Sequence, residues 1–194
     1  MPVKIGARYA AALQLGVGEP GQLLVVDRLA QCVGVDGQIV RNPCPRGFRI
    51  AGNNWRKRRG ALTELLSTSD FAAGVAWWQA KGAAIGTDAY TFSKEAVVLY
   101  TMQLAGRGLT RGIRVNDVGP GPVETPIFPD FEQMTGRDMM QSYISMVGRV
   151  GKPDDIADAI VVLAEGEIGW LNGQHIVVDG GLTAGFSAGW KTGR

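Results

Sequence analysis

Tyr90 and Lys94 stand four residues apart in the stretch DAYTFSKEAVVLYTMQLA (88–105). That stretch reads as helix, so both side chains project from one face. A phenol beside an ammonium can pass a proton to or from an alcohol or carbonyl oxygen, provided other segments bring a substrate and a hydride carrier to it. A free phenol ionises near pH 10, so acting as a base near neutrality takes roughly 4 kcal/mol of help. A cation ~5 Å away at an effective dielectric of ~20 supplies about 3 kcal/mol of it. By residue type alone, the same pair also describes a solvated helix face carrying an aromatic and a lysine. The surrounding segments have to decide between the two.

The elements after residue 88 are readable. The pattern predicts a helix over 89–106, a strand over 112–118 (GIRVNDV), a Gly/Pro loop over 119–126 (GPGPVETP) and a helical piece over about 131–145. Pro153, Asp154 and Asp155 mark the start of another helix, because proline is tolerated in a first turn and carboxylates complement its partial positive charge. Ile156, Ile160 and Leu163 give that helix an apolar stripe. A turn over 170–173 then leads to a strand over 175–178 and an Asp179-Gly180-Gly181 turn. Helix–strand–loop–helix–strand alternation predicts the second half of a parallel α/β sheet. Upstream, 63–71 and 73–81 read as short helices joined by Ser67, Thr68 and Ser69. Trp77 and Trp78 at the end of that segment either pack a surface helix or line a substrate pocket.

The totals narrow the function classes. A chain of 194 residues, 45% apolar, has room for one domain with a substantial core. A net charge of +2 favours neither nucleic acid nor an anionic membrane surface. No run reaches the ~18 apolar residues of a membrane span, and no signal-peptide pattern opens the chain, so the expected location is cytoplasmic. Cys32 and Cys44 read as reduced thiols. His175 is the single histidine; it has no ligand partners at metal spacing, and no metal site is expected. Trp55-Arg56-Lys57-Arg58-Arg59 puts an aromatic beside four cations, as a single-strand nucleic-acid binder would, but the near-balanced total charge makes it a solvated turn.

Residues 1–50 do not follow the same logic. Gly16-Val17-Gly18-Glu19-Pro20-Gly21 matches G-x-G-x-x-G, with Asp36 downstream where an acid would meet a ribose. The segment before it is short and helix-prone, however, and Glu19 puts negative charge where phosphate would sit, so it reads as a Gly/Pro turn. Pro43 and Pro45 argue against a buried strand over 41–49.

Four blocks in order bring a resemblance: Tyr90-x-x-x-Lys94; Arg114-Val115-Asn116; Pro120-Gly121-Pro122-Val123-x-Thr125-Pro126; and Asn172-Gly173-Gln174 with Val178-Asp179-Gly180-Gly181. Together they resemble the short-chain dehydrogenase/reductase family, over roughly residues 51–184. Within it, Ala51-Gly52 with Trp55, the long segment before Tyr90, Lys94-Glu95-Ala96, the run Pro120–Ile127 and Trp170-Leu171-Asn172-Gly173 resemble the group of coniferyl-alcohol dehydrogenases and bacterial 3α-hydroxysteroid dehydrogenases. The resemblance implies a Rossmann-like, doubly wound parallel α/β sheet, here incomplete, with residues 1–50 an atypical segment and 51–194 the C-terminal half of the domain. It implies hydride transfer between NAD (or NADP) and an alcohol or carbonyl substrate, of the aromatic-alcohol or hydroxysteroid class, in a homo-oligomer. Tyr90 would be the acid–base group. Lys94 would assist it, Tyr90 and Lys94 would both contact the cofactor, with Lys94 on its ribose, and Pro120, Gly121, Val123 and Thr125 would close over the nicotinamide. Asn116 would be structural.

The chain also departs from that family. Its glycine-rich loop after the first strand and its AsnAlaGly block are absent, and Arg49 stands where a serine would orient the substrate oxygen. Loss of one such oriented donor costs ~100- to 1000-fold in rate. Residues 1–50 therefore read as the product of a truncated gene or a disrupted reading frame. The alternative to an active oxidoreductase is a non-catalytic remnant that at most self-associates.

Overall fold

The computed structural model describes residues 23–25, 54–126, 128–165 and 168–190. Its sheet has three parallel strands, β1 (Leu23–Val25), β2 (Arg114–Pro120) and β3 (His175–Val178), in the order β1-β2-β3. Leu23 is in register with Arg114, and Asp117 with His175. Helices α1 (Arg59–Leu66), α2 (Phe71–Ile85) and α3 (Ala89–Gly108) precede β2. Helices α4 (Phe128–Thr135), α5 (Arg137–Val147) and α6 (Pro153–Glu165) carry the chain from β2 to β3, and α7 (Leu182–Ala188) follows. Parallel neighbours joined by a helical crossover make this an α/β Rossmann-like sheet, incomplete among the described residues. Val115, Asn116 and Asp117 point alternately to opposite faces of β2, and all three are buried. Cover on both faces is what a parallel strand requires, and α3 and α6 both pack on β2.

Helix α3 starts where its sequence says it should. Asp88 is in extended geometry at the N-cap, its Oδ1 accepts the Thr91 N–H at 2.7 Å, and its Oδ2 accepts the Thr91 hydroxyl at 2.7 Å. The helix ends in a tight reversal. A Cβ at Gly108 would lie 2.7 Å from the Ile113 carbonyl oxygen, and Gly112 takes a left-handed φ of +65°, so both places need glycine. The chain is thereby turned straight back into β2, along the helix it has just left.

Two apolar clusters hold the helices. Leu62, Phe92, Ala96 and Leu99 join α1 to α3, with Trp55, Leu65, Trp77, Trp78 and Ile85 packed around them. Phe92 stacks on Trp77 at 5.9 Å and meets Trp78 at 5.3 Å. The tryptophan pair thus packs against the Tyr90 helix itself. Met140, Tyr143 and Leu182 join α5 to α7.

Several expected boundaries move. The helices expected at 63–71 and 73–81 are Arg59–Leu66 and Phe71–Ile85, because Asp70 caps the second through the Ala73 N–H at 2.8 Å. The strand expected at 112–118 begins at Arg114, since Gly112 still belongs to the turn. The single helical piece at 131–145 is two helices broken at Gly136, whose φ is +92°. Trp55–Arg58 is a 3-10 turn and not a wholly solvated one, because the Arg58 side chain is turned inward. Leu23–Val25 is a strand that the sequence pattern did not announce. The 16–21 loop, Asp36, Cys32, Cys44 and Arg49 lie outside the described residues.

Asp88→Ala removes both cap bonds. It is expected to lower stability by about 1 kcal/mol, read as a lower urea midpoint at unchanged slope.

Candidate functional site

Tyr90 and Lys94 lie in the first turns of α3, and the structure brings them together: the Lys94 Nζ is 5.5 Å from the centre of the Tyr90 ring. Tyr90 is 47% exposed and Lys94 half-buried, while Thr91, Phe92, Glu95 and Ala96 turn into the core. The pair therefore sits on the accessible edge of a helix whose other side is anchored. Because α3 packs on β2 and reverses directly into it, helix and strand run in opposite senses. The start of α3 accordingly lies at the carboxyl end of β2. In open parallel sheets that is the end where ligands bind.

The loop leaving β2 begins at the same end. Pro120 is the last residue of the strand, and the Gly121 N–H donates to the Val178 carbonyl at 3.1 Å. A Cβ at Gly121 would meet the Asp179 Cβ at 2.7 Å, so glycine is needed for this close approach. Val123 bridges to Gly151, with the Gly151 N–H on the Pro122 carbonyl at 2.9 Å and the Glu124 N–H on the Gly151 carbonyl at 2.9 Å. The Thr125 hydroxyl reaches the Val123 carbonyl only at 3.4 Å. Pro120, Gly121, Val123 and Thr125 thus form one loop fixed on two sides, by the end of β3 and by Gly151.

Side chains beside these residues complete the frame. The buried Asn116 amide donates to the Leu171 carbonyl at 3.0 Å and accepts the Gln174 N–H at 3.0 Å, as the structural role expected of it requires. Asn172 Oδ1 accepts the Val115 N–H at 2.8 Å. The Asp179 carboxylate takes the N–H groups of Gly181 and Thr183 at 2.9 and 2.7 Å, which holds the turn before α7. Asp155 receives both Arg149 nitrogens at 2.7 and 2.8 Å and the Lys152 N–H at 2.6 Å. The guanidinium and the backbone donor hold its carboxyl far below the usual carboxylate range.

The family model described as enoyl-(acyl carrier protein) reductase matches residues 66–183, more than half of the chain. The chain belongs to the short-chain dehydrogenase/reductase family. It is 32% identical over 138 residues to coniferyl-alcohol dehydrogenase of a Pseudomonas species, covering 71% of this chain and 54% of that protein. It is 36% identical over 131 residues to 3beta-hydroxysteroid dehydrogenase 2 of Eggerthella lenta, covering 66% and 46%. Among solved structures, the TT0495 protein from Thermus thermophilus is similar at 35% identity and a TM-score of 0.45, over 50% of this chain and 41% of that one. The chain spans about half the length of the curated relatives named here.

Two largely buried side-chain pairs among the described residues of this short-chain dehydrogenase/reductase were not anticipated. His175, given no role from sequence, pairs through Nδ1 with the buried Asp117 carboxylate on the neighbouring strand, and its ring lies where a Cβ on Gly119 would stand, 2.6 Å from Cε1. Arg58 pairs with Glu95. Glu95 carried a signal: it falls on the stripe with Thr91, Val98 and Ala105, where a carboxylate needs a partner. Among the described residues no helix is long and apolar enough to cross a membrane.

Since the Asp155 carboxyl is depressed in the folded chain, its contribution is full above pH ~4 and is lost as the pH falls further. Asp155→Asn is expected to lower the unfolding midpoint at pH 7 and at pH 5, with the gap narrowing progressively below pH 4. Thermal melts across that range check this.

Proposed function

We propose that the chain is a nicotinamide-dependent oxidoreductase that interconverts an alcohol and a carbonyl, with Tyr90 as the acid–base group. The observation that carries this is the Tyr90–Lys94 pair on the accessible edge of α3, at the carboxyl end of β2. Tyr90 takes the hydroxyl proton in alcohol oxidation and returns it in carbonyl reduction. The Lys94 ammonium favours the phenolate that the first of these steps needs. Solvent reaches nearly half of Tyr90 and screens the pair, so the attraction grows when a ligand displaces that water.

The residues fit a nicotinamide nucleotide, NAD or NADP, by their donors. Lys94 offers ammonium hydrogens to ribose hydroxyls. The hydrogen bonds that fix the 120–125 loop use the N–H groups of Gly121, Glu124 and Gly151, so that of Val123 is left outside this set. The long 3.4 Å contact leaves the Thr125 hydroxyl able to turn to a better acceptor. A bound nicotinamide supplies the hydride acceptor for oxidation, or the donor for reduction. An aromatic alcohol or hydroxysteroid is the substrate class, supported by what the Pseudomonas and Eggerthella relatives are named for.

The test is turnover of such alcohols followed by nicotinamide absorbance. Tyr90→Phe is expected to lower kcat by about 100- to 10,000-fold while cofactor affinity, read by nicotinamide fluorescence, is retained. Neither turnover nor cofactor binding by the wild-type chain would leave the second reading, a non-catalytic protein that self-associates. Exposed apolar side chains favour that association: Val162 on α6, Val177 on β3, which packs against α6, and the fully exposed Trp170 before it. Val177→Asp is expected to shift the sedimentation coefficient toward the monomer.

A further inference from the structure

Glu95 follows Lys94 directly in α3 and is fully buried. Its Oε1 lies 2.5 Å from the Arg58 guanidinium, and the Arg58 side chain is itself only 11% exposed. Arg58 closes the turn Trp55–Arg58, which leads straight into α1. Around the pair lies apolar packing, with Leu62 and Leu65 of α1 and Trp55 of the turn against Phe92, Ala96 and Leu99 of α3. Apart from the Phe92 contacts with the Trp77 and Trp78 rings of α2, such packing is non-directional. The ion pair differs in kind because a short guanidinium–carboxylate contact tolerates little change of direction. As a source of stability it is a poor choice. Desolvation of both charges offsets their attraction, and an apolar pair of similar volume does as well or better.

We propose that the Arg58–Glu95 pair is a positioning device: it fixes the rotation of α3 about its own axis, and so the direction in which Tyr90 and Lys94 point. Its catalytic consequence rests on the oxidoreductase reading above, while its geometric consequence does not. Side chains reach ~5–6 Å from a helix axis, so a turn of about 10° moves their tips by ~1 Å. A misplacement of that size costs about 100-fold in rate. A rotation too small to unfold anything is therefore large enough to silence the dyad.

The double variant Arg58→Met with Glu95→Leu replaces the charges by apolar groups of similar volume. Its melting temperature is expected to equal or exceed that of the wild type, whereas kcat falls about 100-fold and KM for cofactor rises, because Lys94 turns with Tyr90. In protein labelled with carbon-13 at the tyrosine ζ position, the Tyr90 resonance, identified by its loss in Tyr90→Phe, is expected to move. The resonance of Tyr143, buried in the α5–α7 cluster, stays in place. A purely structural pair would leave both kcat and the Tyr90 resonance unmoved at equal stability, and that result overturns the proposal. Should the double variant fail to fold, Arg58→Lys keeps the charge without the planar fork and is judged by the same readouts, with about a tenfold loss of kcat expected. A wild-type chain without turnover would defeat the functional reading alone, and the Tyr90 resonance then decides the positioning claim by itself.

Discussion

Helix α3 and strand β2 are joined only by residues 109–113, and the strand returns along the helix that precedes it. Close approach is the condition for this. Gly108 lies against the Ile113 carbonyl, and Gly173, in the turn before β3, lies under Ala105 at a separation a Cβ would reduce to 3.3 Å. With the helix drawn down onto the sheet, its first turns are carried to the carboxyl end of β2. Tyr90 and Lys94 reach the mouth of the sheet because the opposite end of their helix can be packed so tightly. Any residue that lifted α3 at Gly108 would be felt some twenty residues away, at the phenol.

A second set of constraints is polar and runs across the other side of β2. Asn116 spans the Leu171 carbonyl and the Gln174 N–H, and Asn172 answers with a bond to the Val115 N–H. Arg114 donates to the carbonyls of Leu163, Ile168 and Leu171 at 3.2, 3.3 and 3.1 Å, so one cation serves both the end of α6 and the loop after it. Cations are favoured near helix C-termini, where carbonyls lack partners. These bonds stitch 171–174 to β2 and thereby place β3, whose last residue receives the Gly121 N–H. The loop that would cover a cofactor is thus held in place by a chain of amides starting four residues upstream of it.

Legibility in the sequence followed the range of the interaction. Asp88 and Pro153 announce their helices because a cap or a first-turn proline acts on neighbours three or four residues away. The Tyr90–Lys94 pair and the 120–125 loop were readable for the same reason, the first by helical spacing and the second by its glycines and prolines. Strand β2 was displaced by two residues because Gly112 is chemically able to sit in a strand or a turn, and only the packing of Ile113 against Gly108 decides. The Arg58–Glu95 and Asp117–His175 pairs were not legible, since partners 37 and 58 residues apart are set by tertiary placement and strand register. Glu95 on a buried stripe shows that a counter-charge is needed, without showing where it comes from.

The imidazole of His175 occupies the space a side chain at 119 would need, with Cε1 at 2.6 Å and Nε2 at 2.9 Å from that missing Cβ. The two positions are therefore coupled in their packing. An alanine arriving first at 119 would collide with the ring, whereas a smaller residue arriving first at 175 would open the room for it. Changes at contacting sites of this kind do not add. Of the two routes between a Gly–His and an Ala–small pair, the one that begins at 175 avoids the collision, but it opens a void and gives up the bond to Asp117 along the way.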